Sequence, residues 1–418
     1  MERLPGFRDF YPEPLPSRDA GWSLDARQYI FDQWRETARR YGFREYDGPP
    51  LESLELFTTK SGDEIVGQLY NFTDKGGRAV ALRPEMTPTL ARMAAAHERN
   101  YKKPIKWFAI PQLFRYERQQ KGRLREHFQF NADLIGETDP AADAELIALL
   151  IDTLRSFGLT ETDFVIRLSS RNAWHEFYRT GRDGVSPSQK SDEYEFFQTI
   201  DKLERTLPAE SEQKLAALGF SLAGVSRFIE SGQPTAELQS ILDNLAARGL
   251  RHFVKVDYHV IRGLAYYTGV VFEAFDAKGE LRAIAGGGRY DNLVKLVSGG
   301  RVDLPALGFG MGDVVLLELL KARGLLPKFD SATDVFVLIE DEQLRPQSLK
   351  LAQDLRAAGF AVDYPLTSAR PDKQFKRAQE LQAGFTARVE SDAYVRIRNL
   401  KSREEIVAGF ADVANHLG

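Results

Sequence analysis

Cysteine is absent from all 418 residues, so neither disulfides nor thiolate metal sites contribute to this chain. The six histidines, at 97, 127, 175, 252, 259 and 416, form no HxxxH or HExxH pair, which argues against a structural zinc. No apolar run approaches the roughly 20 residues that cross a bilayer. The opening MERLPGFRDFYPEP sets acids and prolines where a secretory signal needs an unbroken apolar core. The expectation is a reducing, cytoplasmic setting with no membrane contact. Excess charge is missing too. A net of −4 and a pI near 6.0 exclude a surface that is positive everywhere and leave only local basic patches. A P-loop GxxxxGK[ST] does not occur. Gly308-Phe-Gly310-Met-Gly312 mis-spaces the third glycine of a dinucleotide fingerprint, so these glycines read as close strand–helix packing.

What is present is an ordinary globular composition, 43% hydrophobic and 28% charged, on a chain long enough for two or three domains. Residues 26–41 carry Ile30, Trp34, Ala38 and Tyr41 on one helical stripe, with Gly42 as the stop. Strands are expected at 69–72, 79–82 and 106–110, and an apolar helix at 141–156. From 171 to 250 charged helical stretches replace β-branched runs, which reads as a helical insertion. Strand character returns at 252–275 and 281–284, and a helix is expected at 314–323. The stretch 324–330 then reads as a linker. Beyond it, strands at 334–339, 360–364, 385–389 and 394–397 alternate with helices at 344–358, 374–381 and 404–416, the pattern of a small α/β domain. The expected divisions are 1–170, 171–250, 251–328 and 329–418.

One segment concentrates chemistry. FRYERQQKGRLREHFQFNAD (114–133) holds five basic residues between Arg115 and Arg125, then alternates strictly. Phe128, Phe130, Ala132 and Leu134 are apolar, whereas His127, Gln129, Asn131 and Asp133 are polar. Period two marks a half-buried strand with the polar set on one face. With Arg115 and Glu117 on a preceding strand and a polar loop 119–123 between, this is an antiparallel hairpin with a cationic tip. A merely solvated hairpin face is the alternative. RGLAYYTGVVFEAF (262–275) places an arginine, two tyrosines and a glutamate among apolar strand residues, where buried arginine needs anions and phenols need partners. AGGGRYD (285–291) reads as a tight turn or a site element, with Arg289 either a phosphate ligand or half of a structural ion pair. Together Glu85, Arg115, Glu117, Gln129, Asp133, Arg262 and Arg289 suit a ligand that joins a cationic amine to phosphates.

These motifs resemble the class II histidyl-tRNA synthetases along nearly the whole chain. LPGFRDFYP resembles that family's N-terminal signature, RYGFREYDGPPLES its dimer-forming first motif, LRPEMT (82–87) its amino-acid loop, and 114–133 its second motif. RGLAYYTG and AGGGRYDNL resemble the two stretches particular to the histidine enzymes. The resemblance implies an α+β fold: an antiparallel-sheet catalytic domain with a helical insertion, then a C-terminal α/β anticodon-binding domain. It implies a homodimeric ligase using ATP and Mg2+, the ion held mainly by ATP, to join histidine to tRNA(His). On that pattern Arg115 and Arg262 are catalytic. Glu85, Thr87, Gln129, Asp133, Tyr266 and Tyr267 hold histidine. Arg115, Glu117, Arg123, His127, Arg262 and Arg289 meet ATP, and Arg118, Gln119, Gln120 and Lys121 meet the tRNA end. Four positions depart from the pattern. Ala265 replaces an aspartate, His127 an aromatic ring, Gln119 a proline, and Val315 the arginine of the third motif. The alternatives are a non-catalytic regulatory subunit of ATP phosphoribosyltransferase in histidine biosynthesis and a tRNA or histidine sensor. Such regulatory subunits typically lack the anticodon domain that 331–418 resembles.

Overall fold

The computed structural model describes residues 2–12, 22–58, 67–116, 124–181, 190–261, 266–329 and 333–417. Contacts divide the chain into two units, 1–326 and 327–418.

The first unit is built on a nine-stranded sheet. Its order runs Val254–Val256, Phe164–Ser170, Val270–Asp276, Ala285–Arg289, Ala306–Gly312, Glu126–Ile135, Ile105–Ala109, Arg44–Glu45. Gln112–Phe114 pairs with the first part of Glu126–Ile135, closing the expected hairpin. Pairing is antiparallel except at the two outermost strands.

Alternation along Glu126–Ile135 decides what each face does. Phe130 turns toward the helix Leu24–Arg40, where it stacks on Trp34 at 5.7 Å and meets Phe108 and Phe309 edge-on. That helix starts where the Ser23 side chain accepts the Ala26 N–H. Its Ile30, Phe31, Trp34 and Ala38 are buried, as the helical stripe requires. Trp34 is fully buried, so truncation to alanine would cost about 3–5 kcal/mol. The apolar helix Ala141–Arg155 packs on the same side. On the other face the helix Thr87–His97 buries Leu90, Ala91 and Ala94 against a cluster that includes Tyr267 and Tyr290.

The run Ala285–Arg289 is a buried strand rather than a turn, and 281–284 before it is not strand. Glycine suits this strand because its neighbours sit close. A Cβ on Gly287 would run into the Gly308 carbonyl, and one on Gly288 would lie 2.5 Å from the Val270 carbonyl. Between Phe164–Ser170 and the return strand Val254–Val256, helices Arg171–Thr180, Lys190–Asp201, Pro208–Ala217 and Leu222–Ser231 gather round an aromatic core, and Ala236–Ala247 packs against helix Ala141–Arg155. Trp174, Phe196, Phe220 and Phe228 meet there, and Trp174 Nε1 donates to the Tyr258 carbonyl at 3.0 Å.

The second unit is a five-stranded sheet, ordered Val362–Asp363, Val335–Leu338, Phe385–Val389, Tyr394–Asn399, Glu405–Gly409. Helix Arg345–Ala357 covers one side and contributes Leu351, Ala352 and Leu355 to its core. The sequence predicts a helix over 404–416, and the structure corrects this. Glu405–Gly409 is an edge strand paired with Tyr394–Asn399, followed by a 3-10 turn, Phe410–His416. The β-branched pair Ile406-Val407 favours extended backbone, and a neighbouring strand is there to pair with it.

Candidate active site

The polar face of Glu126–Ile135 looks into a small pocket of about 470 Å³ counting its open mouth. Gln129, Asn131 and Asp133 line its floor. Glu85 and Thr87 enter from the turn that starts helix Thr87–His97, and Tyr266, Tyr267 and Tyr290 close the side. Arg115, expected on the hairpin's first strand, lies just past its end at Phe114; it is the one cation among the described lining residues, against the two carboxylates Glu85 and Asp133.

Each carboxylate is held by a phenol. Tyr266 donates to Glu85 Oε2 at 3.1 Å, and Tyr290 donates to Asp133 Oδ1 at 2.5 Å. Asp133 is 4% exposed, and burial pushes its pKa up to about 7 against the pull of Tyr290. Tyr266 packs on Tyr267 at 4.8 Å and meets Tyr290 edge-on, giving the pocket an aromatic wall. Two glycines opposite make room. A Cβ on Gly308 would strike Asp133 Oδ1, and one on Gly310 would come within 2.7 Å of Gln129 Cδ. Arg115 is fixed at both ends: its N–H donates to the Arg125 carbonyl at 2.9 Å and its Nε to the Pro84 carbonyl at 3.0 Å. Chemically, two acids can hold a cationic or N–H-bearing group, and the guanidinium beside them can hold an anion.

Of the residues singled out in the sequence, Glu85, Thr87, Arg115, Gln129, Asp133, Tyr266 and Tyr267 come together here. His127 shares their strand face by alternation but stands outside the pocket lining. Burial, with Arg115 and Arg8 nearby, pushes its pKa down to about 3, so it is a neutral ring at physiological pH. Glu117, Arg118, Gln119, Gln120, Lys121, Arg123, Arg262 and Ala265 lie outside the described residues.

Arg289 is placed elsewhere, which corrects the expectation of a phosphate ligand. Gly288 pairs with Gly308, and Gly308 with Asp133, so the site side of that strand falls to Gly286 and Gly288. Arg289 therefore points through the opposite face. There Nε and Nη2 bind Asp143 Oδ2 at 2.9 and 2.5 Å, while Nη1 and Nη2 reach the carbonyls of Glu137 and Asp139. Its side chain is 5% exposed. It is a buried ion pair that anchors the start of helix Ala141–Arg155.

Asn131 and Tyr290 line the pocket without having been assigned to it from the sequence. Asn131 was legible in the alternation, and Tyr290 sits inside the AGGGRYD motif. Val315 is half-buried in the first turn of helix Asp313–Arg323. Among the described residues no group of three His, Asp or Glu side chains could hold a metal ion.

The second unit has its own groove, between helix Pro371–Glu380 and the sheet, lined among others by Phe375, Lys376, Arg388, Arg396 and Arg398. The Arg398 guanidinium lies 5.3 Å from the Phe375 ring centre. Of the basic run Arg370, Lys373, Lys376 and Arg377, the last two sit within 3.9 and 3.7 Å of Glu380.

The histidyl-tRNA synthetase family model matches residues 23–313, and an anticodon binding domain model matches 334–417. A histidine–tRNA ligase of Opitutus terrae is 48% identical, covering 97% of this chain and 95% of its own. The chloroplastic/mitochondrial histidine–tRNA ligase of Arabidopsis thaliana is 37% identical, covering 98% and 85%. In fold, the chain is similar to the crystal structure of histidyl-tRNA synthetase from Nostoc, with a TM-score of 0.76 over 97% of this chain and 99% of that one, at 22% identity. A family match over more than half of its length, with relatives this similar end to end, leads to one conclusion: the chain belongs to the histidyl-tRNA synthetase family.

Proposed function

We propose that this protein is a histidine–tRNA ligase whose amino-acid site is the pocket between Glu85, Asp133 and Arg115. One observation carries the assignment: two buried, phenol-held carboxylates share a small slot with Arg115, the one guanidinium among its described lining residues. Glu85, Thr87 and Gln129 take the α-ammonium group. Asp133 accepts from an imidazole N–H, and Tyr266 and Tyr267 enclose the ring. Arg115 grips the α-phosphate of ATP, Glu117 reads the adenine, and neutral His127 offers it a stacking face. Arg262 serves the substrate carboxylate and the α-phosphate, and Arg123 the remaining phosphates. The hairpin loop Arg118–Lys121, with Gln119 and Gln120, meets the end of tRNA(His).

The chemistry needs no protein base. A histidine carboxylate oxygen attacks the α-phosphorus, the bond to the bridging oxygen breaks, and pyrophosphate leaves with that electron pair. Catalysis is alignment plus charge stabilisation. In the second step a ribose hydroxyl of the terminal adenosine attacks the carbonyl carbon, its proton passes to a phosphate oxygen of the adenylate, and AMP departs with the electron pair of the broken acyl–oxygen bond. Mg2+, carried mainly by ATP, neutralises triphosphate charge. The α/β unit supplies the anticodon contacts, with Arg388, Arg396, Arg398 and Lys376 toward phosphates and Phe375 toward a base. The working form is a cytoplasmic homodimer. No described helix is long and apolar enough to cross a membrane.

Histidine-dependent ATP–pyrophosphate exchange on the purified protein is the test. Exchange with histidine and none with other amino acids is expected. Histidine binding without exchange would instead favour the regulatory or sensor alternative.

A further inference from the structure

The N-terminal segment touches the pocket's supports without lining the pocket. Arg8 is buried, its side chain 2% exposed. It forks two carboxylates at once, with Nε 2.7 Å from Glu126 Oε1 and Nη1 2.7 Å from Asp313 Oδ2. Its Nη2 spans their other oxygens at 3.3 and 3.5 Å. Those same carboxylates hold further elements. Glu126 Oε2 accepts from Gln112 Nε2, and Asp313 Oδ1 from the Phe128 N–H, both at 3.0 Å. The rings of Phe10 and Trp22 flank the guanidinium at 5.0 and 4.5 Å. One side chain thus ties the N-terminal segment to both strands of the hairpin and to the start of helix Asp313–Arg323.

Two residues earlier a backbone relay begins. The Gly6 carbonyl accepts the Arg125 N–H at 2.9 Å, and the Arg125 carbonyl accepts the Arg115 N–H at 2.9 Å. Gly6 adopts φ +88°, and a Cβ there would lie 2.7 Å from Arg125 Cγ. Burying three charges carries a large desolvation penalty that their mutual attraction must offset, and apolar packing often stabilises as well. What the cluster adds over apolar packing is fixed geometry beside the backbone relay that ends on Arg115, the pocket's one described cation. A misplacement of about 1 Å can cost roughly 100-fold in rate.

We propose that Gly6 and Arg8 are positioning residues for ATP activation. The N-terminal segment is a strap that sets Arg115 through Arg125 and holds the start of helix Asp313–Arg323 beside it. This rests on the ligase reading above.

The experiment is pyrophosphate exchange on the full chain with Gly6→Ala, Arg8→Lys and Arg8→Gln, alongside thermal unfolding and calorimetric histidine binding. Gly6→Ala and Arg8→Gln should lower kcat or raise the KM for ATP by about 10–100-fold, while histidine affinity stays within about twofold. Arg8→Lys keeps the charge but loses the fork, and should fall between Arg8→Gln and wild type. If Gly6→Ala and Arg8→Lys lower the melting temperature yet keep wild-type kcat and both KM values, the strap is structural only and the proposal is wrong. Should Arg8→Gln fail to fold, the other two variants decide. A wild type without exchange overturns the ligase reading and this proposal together, whereas wild-type exchange that the variants leave untouched overturns this proposal alone.

Discussion

Tyr290 reaches across from the end of the glycine strand to donate its hydroxyl to Asp133 Oδ1 at 2.5 Å, deep under the tyrosine wall. On the proposed reading, that bond orients the buried carboxylate toward a ring N–H of the substrate. Tyr290→Phe removes the donor without changing the packing. A hydrogen bond to a charged group is worth about 1.5–3 kcal/mol, so histidine affinity should fall by roughly 10–150-fold. Calorimetry giving wild-type affinity would take Tyr290, and with it the Asp133 geometry, out of recognition.

Asp133 also makes a pH signature in the ligand-free protein. Its folded-state pKa is raised, from 3.8 to about 7, by burial. The native state therefore holds this proton where the unfolded chain has already lost it. Stability contributed by this group is full below about pH 4 and declines as pH rises toward 7, with no further change above. Asp133→Asn removes the titration. Its melting temperature, compared with wild type, should gain more at pH 8 than at pH 5, and an equal difference at both values would refute the assignment.

Arg289 should matter to folding and not to ATP. Arg289→Gln strands Asp143, which is fully buried, and breaking such a pair costs about 3–5 kcal/mol. The expected result is a much lower melting temperature with an unchanged KM for ATP in the surviving folded protein. A raised KM at intact stability would return Arg289 to the phosphate site.

The α/β unit should serve tRNA alone. Ending the chain at Leu326, where the two units divide, should leave pyrophosphate exchange near wild type and abolish efficient charging. Within the full chain, Arg398→Ala should weaken tRNA binding and make its salt dependence shallower by about one unit of slope. Undiminished charging by the truncated protein would mean that the groove around Phe375 has another purpose.

Much of the site was readable because one strand alternates. From His127 to Leu134 every polar residue goes one way and every apolar residue the other, so Gln129, Asn131 and Asp133 had to share a face. Ala285–Arg289 offers no such pattern: glycines have no side chains to alternate, so which way Arg289 points depends on register with strands far along the chain. The stretch 404–416 misleads for a related reason. Its composition as a whole suits a helix, and the Ile406-Val407 pair makes extended backbone the better choice only because the partner strand Tyr394–Asn399 lies beside it. The link from Arg8 to Asp313 spans 305 positions in sequence, a distance over which no local pattern operates.

Gly308 has a consequence for how such a site could change over generations. Because any side chain there would collide with the Asp133 carboxylate, the two positions are locked to each other. A larger residue at 308 is harmful while Asp133 remains, and shortening residue 133 alone gives up the acid before anything replaces it. Reaching a different amino-acid preference through this wall takes paired substitutions with an unfit intermediate on either route. If the pocket is the proposed amino-acid site, the glycine acts as a ratchet against drift of its preference one mutation at a time.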